Sequence, residues 1–119
     1  MPDDIEYARE DLLTIYRGAM AEQFVGQEML VSQQGKLYYW NRQAKNSSAE
    51  VDYLAVIDGR IHPVEVKSCA TGSLRSLHLY IGSYPECGKA LVFSDRPYSD
   101  LPEQNIKFIP LYSTYASTK

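Results

Sequence analysis

Two short apolar segments, at residues 53–57 and 61–66, flank an Asp-Gly pair at positions 58 and 59. An Asp-Gly pair between segments rich in β-branched residues is typical of a hairpin with a two-residue type I′ turn. In that hairpin Ile57 faces Arg60, and the two strands pair outward from there. The apolar composition of both segments also indicates central strands of a buried sheet.

Three charged side chains are placed by this register. Counting outward from the turn puts Asp52 opposite Glu65, and Lys67 lies two residues further along. Because side chains alternate between the two faces of a sheet, all three are expected on one face. Two carboxylates about 5 Å apart repel each other by about 3 kcal/mol at an effective dielectric constant of about 20. A divalent cation or a shared proton would remove that repulsion. The alternative is a slipped or bulged register that leaves both acids on a solvated edge, where like charges are tolerated.

The remaining pattern predicts an α/β domain with a mixed sheet. Apolar residues at helical spacing indicate helices, and short apolar or aromatic runs indicate strands. Gly18 is expected to separate two N-terminal helices. The strand at 89–94 should run parallel to its neighbour if the preceding helix is a crossover. Pro63 should turn its missing N–H away from the neighbouring strand or mark a bulge. The predicted helices are 4–16, 19–33 and 71–84, the strands 36–41, 50–57, 61–67, 89–94 and 105–112, and the loops 42–48 and 96–104, with a frayed tail at 113–119.

A carboxylate also occurs on the apolar face of the second predicted helix. Glu22 lies at helical spacing from Ala19, Val25 and Met29, so it shares the face that should pack on the sheet. An isolated carboxylate in such a place is costly and needs a partner. The partner is either an Arg or Lys from another element, or a site where Glu22 joins the hairpin acids as a third carboxylate. The nearby hairpin acids favour the second alternative.

The composition is that of one globular domain. The chain has 119 residues, of which 45% are hydrophobic and 23% charged. A chain of this length can bury a hydrophobic core without disulfides or structural metals. The net charge of −3 arises in residues 3–11, which hold five acids and one arginine, so the body is close to neutral. A dedicated DNA-binding protein is usually more basic. Neither a signal peptide nor a membrane span is visible, and Cys69 and Cys87 are expected to stay reduced in the cytoplasm.

The charged residues of the hairpin are suited to metal-dependent phosphodiester chemistry. Mg²⁺ prefers oxygen ligands and is usually held by one or two carboxylates with several waters. Asp52 and Glu65 are therefore the expected ligands, with the Val66 carbonyl as a further oxygen and Glu22 acting directly or through water; Mn²⁺ is an expected substitute. Lys67 is placed to orient the attacking water or to stabilise charge developing on phosphorus. The sequence has no nucleophilic Ser or Cys arrangement. It also has no Gly-rich phosphate loop, which excludes ATP hydrolysis by a P-loop mechanism.

A helical acid, then Asp52, twelve intervening residues and Glu65-Val66-Lys67, resembles the PD-(D/E)XK nuclease superfamily. The order helix, three strands, helix, strand is also that superfamily's core, so the resemblance implies a restriction-endonuclease-like fold. The sequence is also similar to a more specific family, the carboxy-terminal domain of unknown function 4143 in a family of prokaryotic AAA-type ATPases. The segments that carry this similarity are GAMAEQFVGQE at 18–28, LYYW at 37–40, AEVDYL at 49–54, PVEVKS at 63–68 and IPLY at 109–112.

The resemblance implies a nuclease-like domain at 18–112, preceded by an acidic helix at 1–17 and followed by a tail at 113–119. It implies DNA or RNA as substrate, and either an AAA-type ATPase module as partner within a longer protein or a free-standing relative that lacks that module. It leaves homo-oligomer formation open. Val51 replaces the proline that precedes the aspartate in the superfamily, and Ser76 stands where RecB-type nucleases have glutamine. The intact acids and lysine favour an active nuclease. The near-neutral body favours a catalytically silent module used for protein interaction or for regulation of the ATPase.

Overall fold

A computed structural model describes the backbone of residues 2–44, 47–67 and 74–119, and the side chains of residues 17–41, 50–67 and 74–119. Within these ranges the chain is an α/β domain with a mixed sheet, as the sequence predicts. The helices are α1 (Pro2–Ser32), α2 (Arg75–Ser83) and α3 (Thr114–Thr118), and the strands are β1 (Tyr38–Ala44), β2 (Ser47–Ile57), β3 (Arg60–Lys67), β4 (Ala90–Ser94), β5 (Ser99–Leu101) and β6 (Ile106–Pro110), with 3₁₀ turns at Pro102–Gln104 and Leu111–Ser113.

The six strands form one sheet in the order β1-β2-β3-β4-β6-β5. Strands β1, β2 and β3 pair antiparallel, whereas β4 pairs parallel to β3 and to β6. The short strand β5 closes the far edge antiparallel to β6. The connection through α2 is therefore a crossover, which confirms the predicted parallel placement of the strand near residues 89–94.

The Asp-Gly hairpin forms in the predicted register. Ile57 pairs with Arg60, and the pairing continues outward as far as Tyr53 with Val64. Asp58 and Gly59 both have positive φ, 52° and 78°, as a type I′ turn requires. Pro63 is paired with Leu54, and in the alternation of hydrogen-bonded and non-hydrogen-bonded pairs this is a non-hydrogen-bonded position. The position that lacks an N–H in Pro63 therefore points away from β2, as predicted.

The core consists of two layers, one on each face of the sheet. Strand β4 is buried along its whole length, and its residues alternate between the layers. Leu91 and Phe93 pack on the face covered by α1, together with Val25 and Met29. The other face packs Ala90 and Val92 with Leu77 of α2. This two-sided burial is what the apolar composition of the central strands indicates.

Two predictions about the ends of the chain are wrong. Gly18 does not break the N-terminal helix, because α1 runs without interruption from Pro2 to Ser32. Residues 113–119 are not frayed: α3 packs against the end of α1, and Thr114 and Thr118 are fully buried. The Thr118 hydroxyl lies 2.5 Å from that of Ser32. The side chain of Gln33 donates to the Thr118 carbonyl, which ties the C-terminus to the body of the fold.

Several element boundaries also differ from the prediction. The polar segment expected to be a loop at 42–48 is largely strand, since β1 extends to Ala44 and β2 begins at Ser47. The loop at 96–104 contains β5, and the last strand ends at Pro110 rather than at residue 112. Positions 45–46, Cys69 and the first residues of the predicted helix at 71–84 lie outside the described residues. No described helix is both long and apolar enough to cross a membrane.

Candidate functional site

An irregularity in β2 lies next to the predicted site. Tyr38 pairs with Leu54 but Trp40 pairs with Val51, so β2 holds one more residue than β1 between these pairs. This is the pattern of a β-bulge, which bends a strand and re-aims a side chain. The ring of Trp40 packs edge to face on the ring of Tyr80 in α2, with 5.3 Å between the ring centroids. The bulge thus falls at Asp52, the first acid of the predicted site.

Asp52 holds the two hairpin strands together at the point where their ladder ends. The backbone N–H of Val66 donates to Asp52 Oδ2 at 2.9 Å. The last regular pair is Tyr53 with Val64, so a carboxylate rather than a backbone carbonyl satisfies the next strand amide. A carboxylate that accepts a backbone N–H is fixed in position.

Glu65 is the buried acid of the site, with 7% of its surface exposed. Burial, then the negative charge of Asp52 and a hydrogen bond with it, raise the pKa of Glu65 from 4.5 to about 8, although Lys67 acts in the opposite direction. This shift favours the protonated form of Glu65 when no cation is bound. Of the two ways to relieve the predicted repulsion, it is therefore the shared proton that we expect in the metal-free protein.

Lys67 lies beside this pair at the end of β3. Its Nζ is 4.0 Å from Glu65 Oε2, which is the outer limit of an ion pair, and about a third of the side chain is exposed. The lysine is therefore near the acids but still reaches solvent. Such a cation is available to an incoming anionic group as well as to Glu65.

Glu22 approaches the acids from α1, but its side chain is exposed. Partial burial, and then the charges of Asp52 and Glu50, raise the pKa of Glu22. In the described part of the chain no three Asp, Glu, His or Cys side chains form a metal-binding cluster. Asp52 and Glu65 thus form a pair, and Glu22 lies outside a three-ligand set in this conformation.

Tyr53 is a site residue that sequence reasoning missed. Its hydroxyl donates to the backbone carbonyl of Glu22 at 3.2 Å. A Cβ at Gly26 would lie 2.6 Å from the same hydroxyl oxygen, so the glycine admits the ring against α1. Burial, and then the charges of Glu22 and Asp52, raise the pKa of Tyr53. Tyr53 therefore fixes the helix that carries Glu22 to the strand that carries Asp52.

A groove of about 570 Å³ opens at the carboxyl ends of β4 and β6, and no pattern in the sequence predicts it. Lys67 is in register with Ser94 of β4, and Ser94 is in register with Pro110 of β6. Ser94 and Pro110 both line the groove. Its walls come from α1 and from the segments that follow β4 and β6, and the apolar wall residues are Phe24, Pro97, Leu111 and Tyr112.

Comparison with known families supports the narrower of the two resemblances. A family model described as a domain of unknown function, DUF4143, matches residues 17–114. Comparisons with curated proteins and with solved structures gave no significant match. The matched range includes Glu22, Asp52, Glu65 and Lys67 and covers most of the chain. The chain therefore belongs to the DUF4143 family.

Proposed function

We propose that this chain is a Mg²⁺-dependent nuclease-like domain that cleaves phosphodiester bonds in DNA or RNA, and that it acts with an AAA-type ATPase module. The observation that carries the proposal is the Asp52–Glu65 pair. Glu65 is buried beside the fixed Asp52 carboxylate, which favours the protonated form of Glu65. Without a cation, ionisation of both groups would place two negative charges side by side. A divalent cation in place of that proton would compensate both carboxylates.

The donor set suits Mg²⁺, with Mn²⁺ as a substitute. Asp52 and Glu65 offer oxygen atoms only, and Mg²⁺ is commonly bound by one or two carboxylates together with several waters. A third protein carboxylate is therefore not required, and Glu22 would act through water. The Val66 carbonyl remains a further candidate oxygen. A bound Mg²⁺ supplies polarisation of the phosphate and a more acidic water.

The residues of the chain itself hold and complement the reacting groups. The Val66 amide fixes Asp52 before any ligand arrives, so little reorganisation is needed on binding. Lys67 presents a positive charge close to Glu65 and can stabilise negative charge that develops on the phosphate. Tyr53 holds α1 beside the pair and so sets the distance at which Glu22 can contact a water.

A cleavage assay tests this proposal. Labelled single- and double-stranded DNA and RNA are incubated with the protein and Mg²⁺, Mn²⁺ or EDTA. Cleavage should require the metal and should be lost in Lys67→Met, while Lys36→Met, a matched change at an exposed lysine, should behave like wild type. Metal-independent cleavage, or equal activity of Lys67→Met and wild type, would contradict the proposal.

The alternative function is a catalytically silent nuclease fold that mediates protein interaction or regulates the ATPase. The near-neutral charge of the body and the missing three-acid cluster in the described residues favour it. The two functions differ in one simple respect. A silent module would show no metal-dependent cleavage of any of the four substrates, with or without the ATPase module.

A further inference from the structure

The groove beside the site has a position and a size suited to a ligand. In open α/β sheets, ligands bind outside the carboxyl ends of the parallel strands. The groove lies at the carboxyl ends of β4 and β6, and its volume of about 570 Å³ is in the range typical of small-molecule pockets. It also adjoins the strand that ends in Lys67.

The groove and Lys67, which lies beside the acid pair, are both at the carboxyl ends of neighbouring parallel strands. Neighbouring strands are about 4.8 Å apart, so Ser94 lies about that far from Lys67, and Pro110 about twice as far. Stacked nucleotides in one strand repeat every ~3.4 Å. Lys67 lies on the α2 side of the sheet together with Val92, whereas the groove lies on the α1 side, against Phe24 and Leu111. A strand with one phosphate at Lys67 therefore reaches the groove within a few nucleotides by crossing the carboxyl end of β4.

The lining favours a base over a phosphate. Tyr112 has 83% of its surface exposed and Phe24 has 40%, so both rings are accessible to a ligand. Pro97 and Leu111 add apolar surface. Asp95 and Arg96 also line the groove, and their opposite charges leave it without a net charge that would attract a phosphate. Aromatic rings stack on any base, provided that the base is not already stacked within a duplex.

We propose that this groove is a base-binding subsite, in which Tyr112 and Phe24 contact an unpaired base of a single-stranded nucleic acid whose backbone passes the Asp52–Glu65 pair and Lys67. This inference rests on the proposed nuclease function and adds the substrate class. Single-stranded DNA or RNA is then preferred over the duplex. A base in the groove also fixes the register of the strand, and so selects the phosphate presented to the acids.

Binding measured without turnover tests the subsite separately from cleavage. Fluorescence anisotropy of labelled oligo-dT and oligo-rU in EDTA compares wild type with Tyr112→Ala, Tyr112→Phe and Tyr39→Ala. Tyr39 is a matched control, since it is also an exposed tyrosine but lies on β1, at the opposite edge of the sheet. Tyr112→Ala should weaken binding roughly 5- to 150-fold, the range for loss of one base–aromatic stack. Tyr112→Phe and Tyr39→Ala should bind like wild type, and a duplex of the same sequence should bind more weakly to wild type and be insensitive to Tyr112→Ala.

Each result decides the matter. Weaker single-strand binding in Tyr112→Ala alone supports the subsite, even if no metal-dependent cleavage is found and the nuclease proposal fails. Metal-dependent cleavage with unchanged affinity and cleavage rate in Tyr112→Ala overturns the subsite and leaves the nuclease proposal standing. An oligonucleotide affinity that Tyr112→Ala leaves unchanged overturns the subsite, and it is the result expected if the groove holds a protein segment instead. Absence of single-strand binding by wild type overturns the subsite.

Discussion

Glu65→Gln should remove a pH-dependent loss of stability that is built into the metal-free protein. Glu65 is buried beside Asp52, which raises its pKa from 4.5 to about 8. Glutamine keeps the volume of the protonated acid and can still donate to Asp52, but it cannot ionise. The variant therefore isolates the contribution of one titrating carboxyl group.

The sign and size follow from linkage. Because the folded pKa lies above the unfolded pKa, the protonated carboxyl contributes stability that is fully present below pH 4.5 and is lost as the pH rises through about 8. Between pH 5 and pH 8 the wild-type protein should lose about 3 kcal/mol of unfolding free energy from this group. Glu65→Gln should not show that loss, so it should become the more stable protein at pH 8.

Urea denaturation in EDTA at several pH values between 5 and 8 measures the difference. Titrating groups that do not interact with Glu65 cancel when the variant is subtracted from wild type, and Glu103→Gln, at an exposed position, controls for the loss of one carboxyl group. Added Mg²⁺ should recover stability in wild type at pH 8 but not in Glu65→Gln. A difference between wild type and Glu65→Gln that stays constant from pH 5 to 8 would refute the reasoning.

Two further predictions concern the frame of the site. Asp52→Ala leaves the Val66 N–H without its acceptor and should lower the unfolding free energy by about 1–3 kcal/mol. Asp52→Asn keeps an acceptor oxygen and should lose less; equal loss in denaturant titrations would contradict the role of that hydrogen bond. Gly88→Ala would drive a Cβ into the His62 ring and should cost about 1–3 kcal/mol. Gly82→Ala faces open space in α2 and should be neutral or stabilising by up to about 1 kcal/mol, so a thermal melt that ranks these two variants the other way would refute the packing.

The hairpin was predictable because its signals are local. The turn residues Asp58 and Gly59 fix the register, and the register brings Glu65 close to Asp52. A bulged register is an alternative that the sequence leaves open, but its position at Asp52 depends on how β2 pairs with β1, which no local signal shows. The hairpin register alone therefore predicts two acids opposed across a ladder, whereas in the structure Asp52 accepts a hydrogen bond from the Val66 N–H. For the same reason we expect Asp52→Ala to be destabilising, contrary to what simple relief of repulsion predicts.

Long-range contacts explain the other differences. A glycine inside a helix costs only about 1 kcal/mol, and the packing of α1 on the sheet outweighs that at Gly18. Local sequence predicts a frayed tail, because the residues that bind it, Ser32 and Gln33, lie far away in the sequence. The groove at Tyr112 is formed by three segments that are distant along the chain. Periodicity within any one segment carries no information about such a surface.

The central claim is that the Asp52–Glu65 pair binds a divalent cation in exchange for a proton. Calorimetric titration of Mn²⁺ at pH 7, in two buffers with different ionisation enthalpies, measures both the binding and the proton released. The account predicts saturable binding with release of close to one proton in wild type, and no binding in the Asp52→Asn, Glu65→Gln double variant. Absence of binding in wild type, or binding that survives in the double variant, would contradict it.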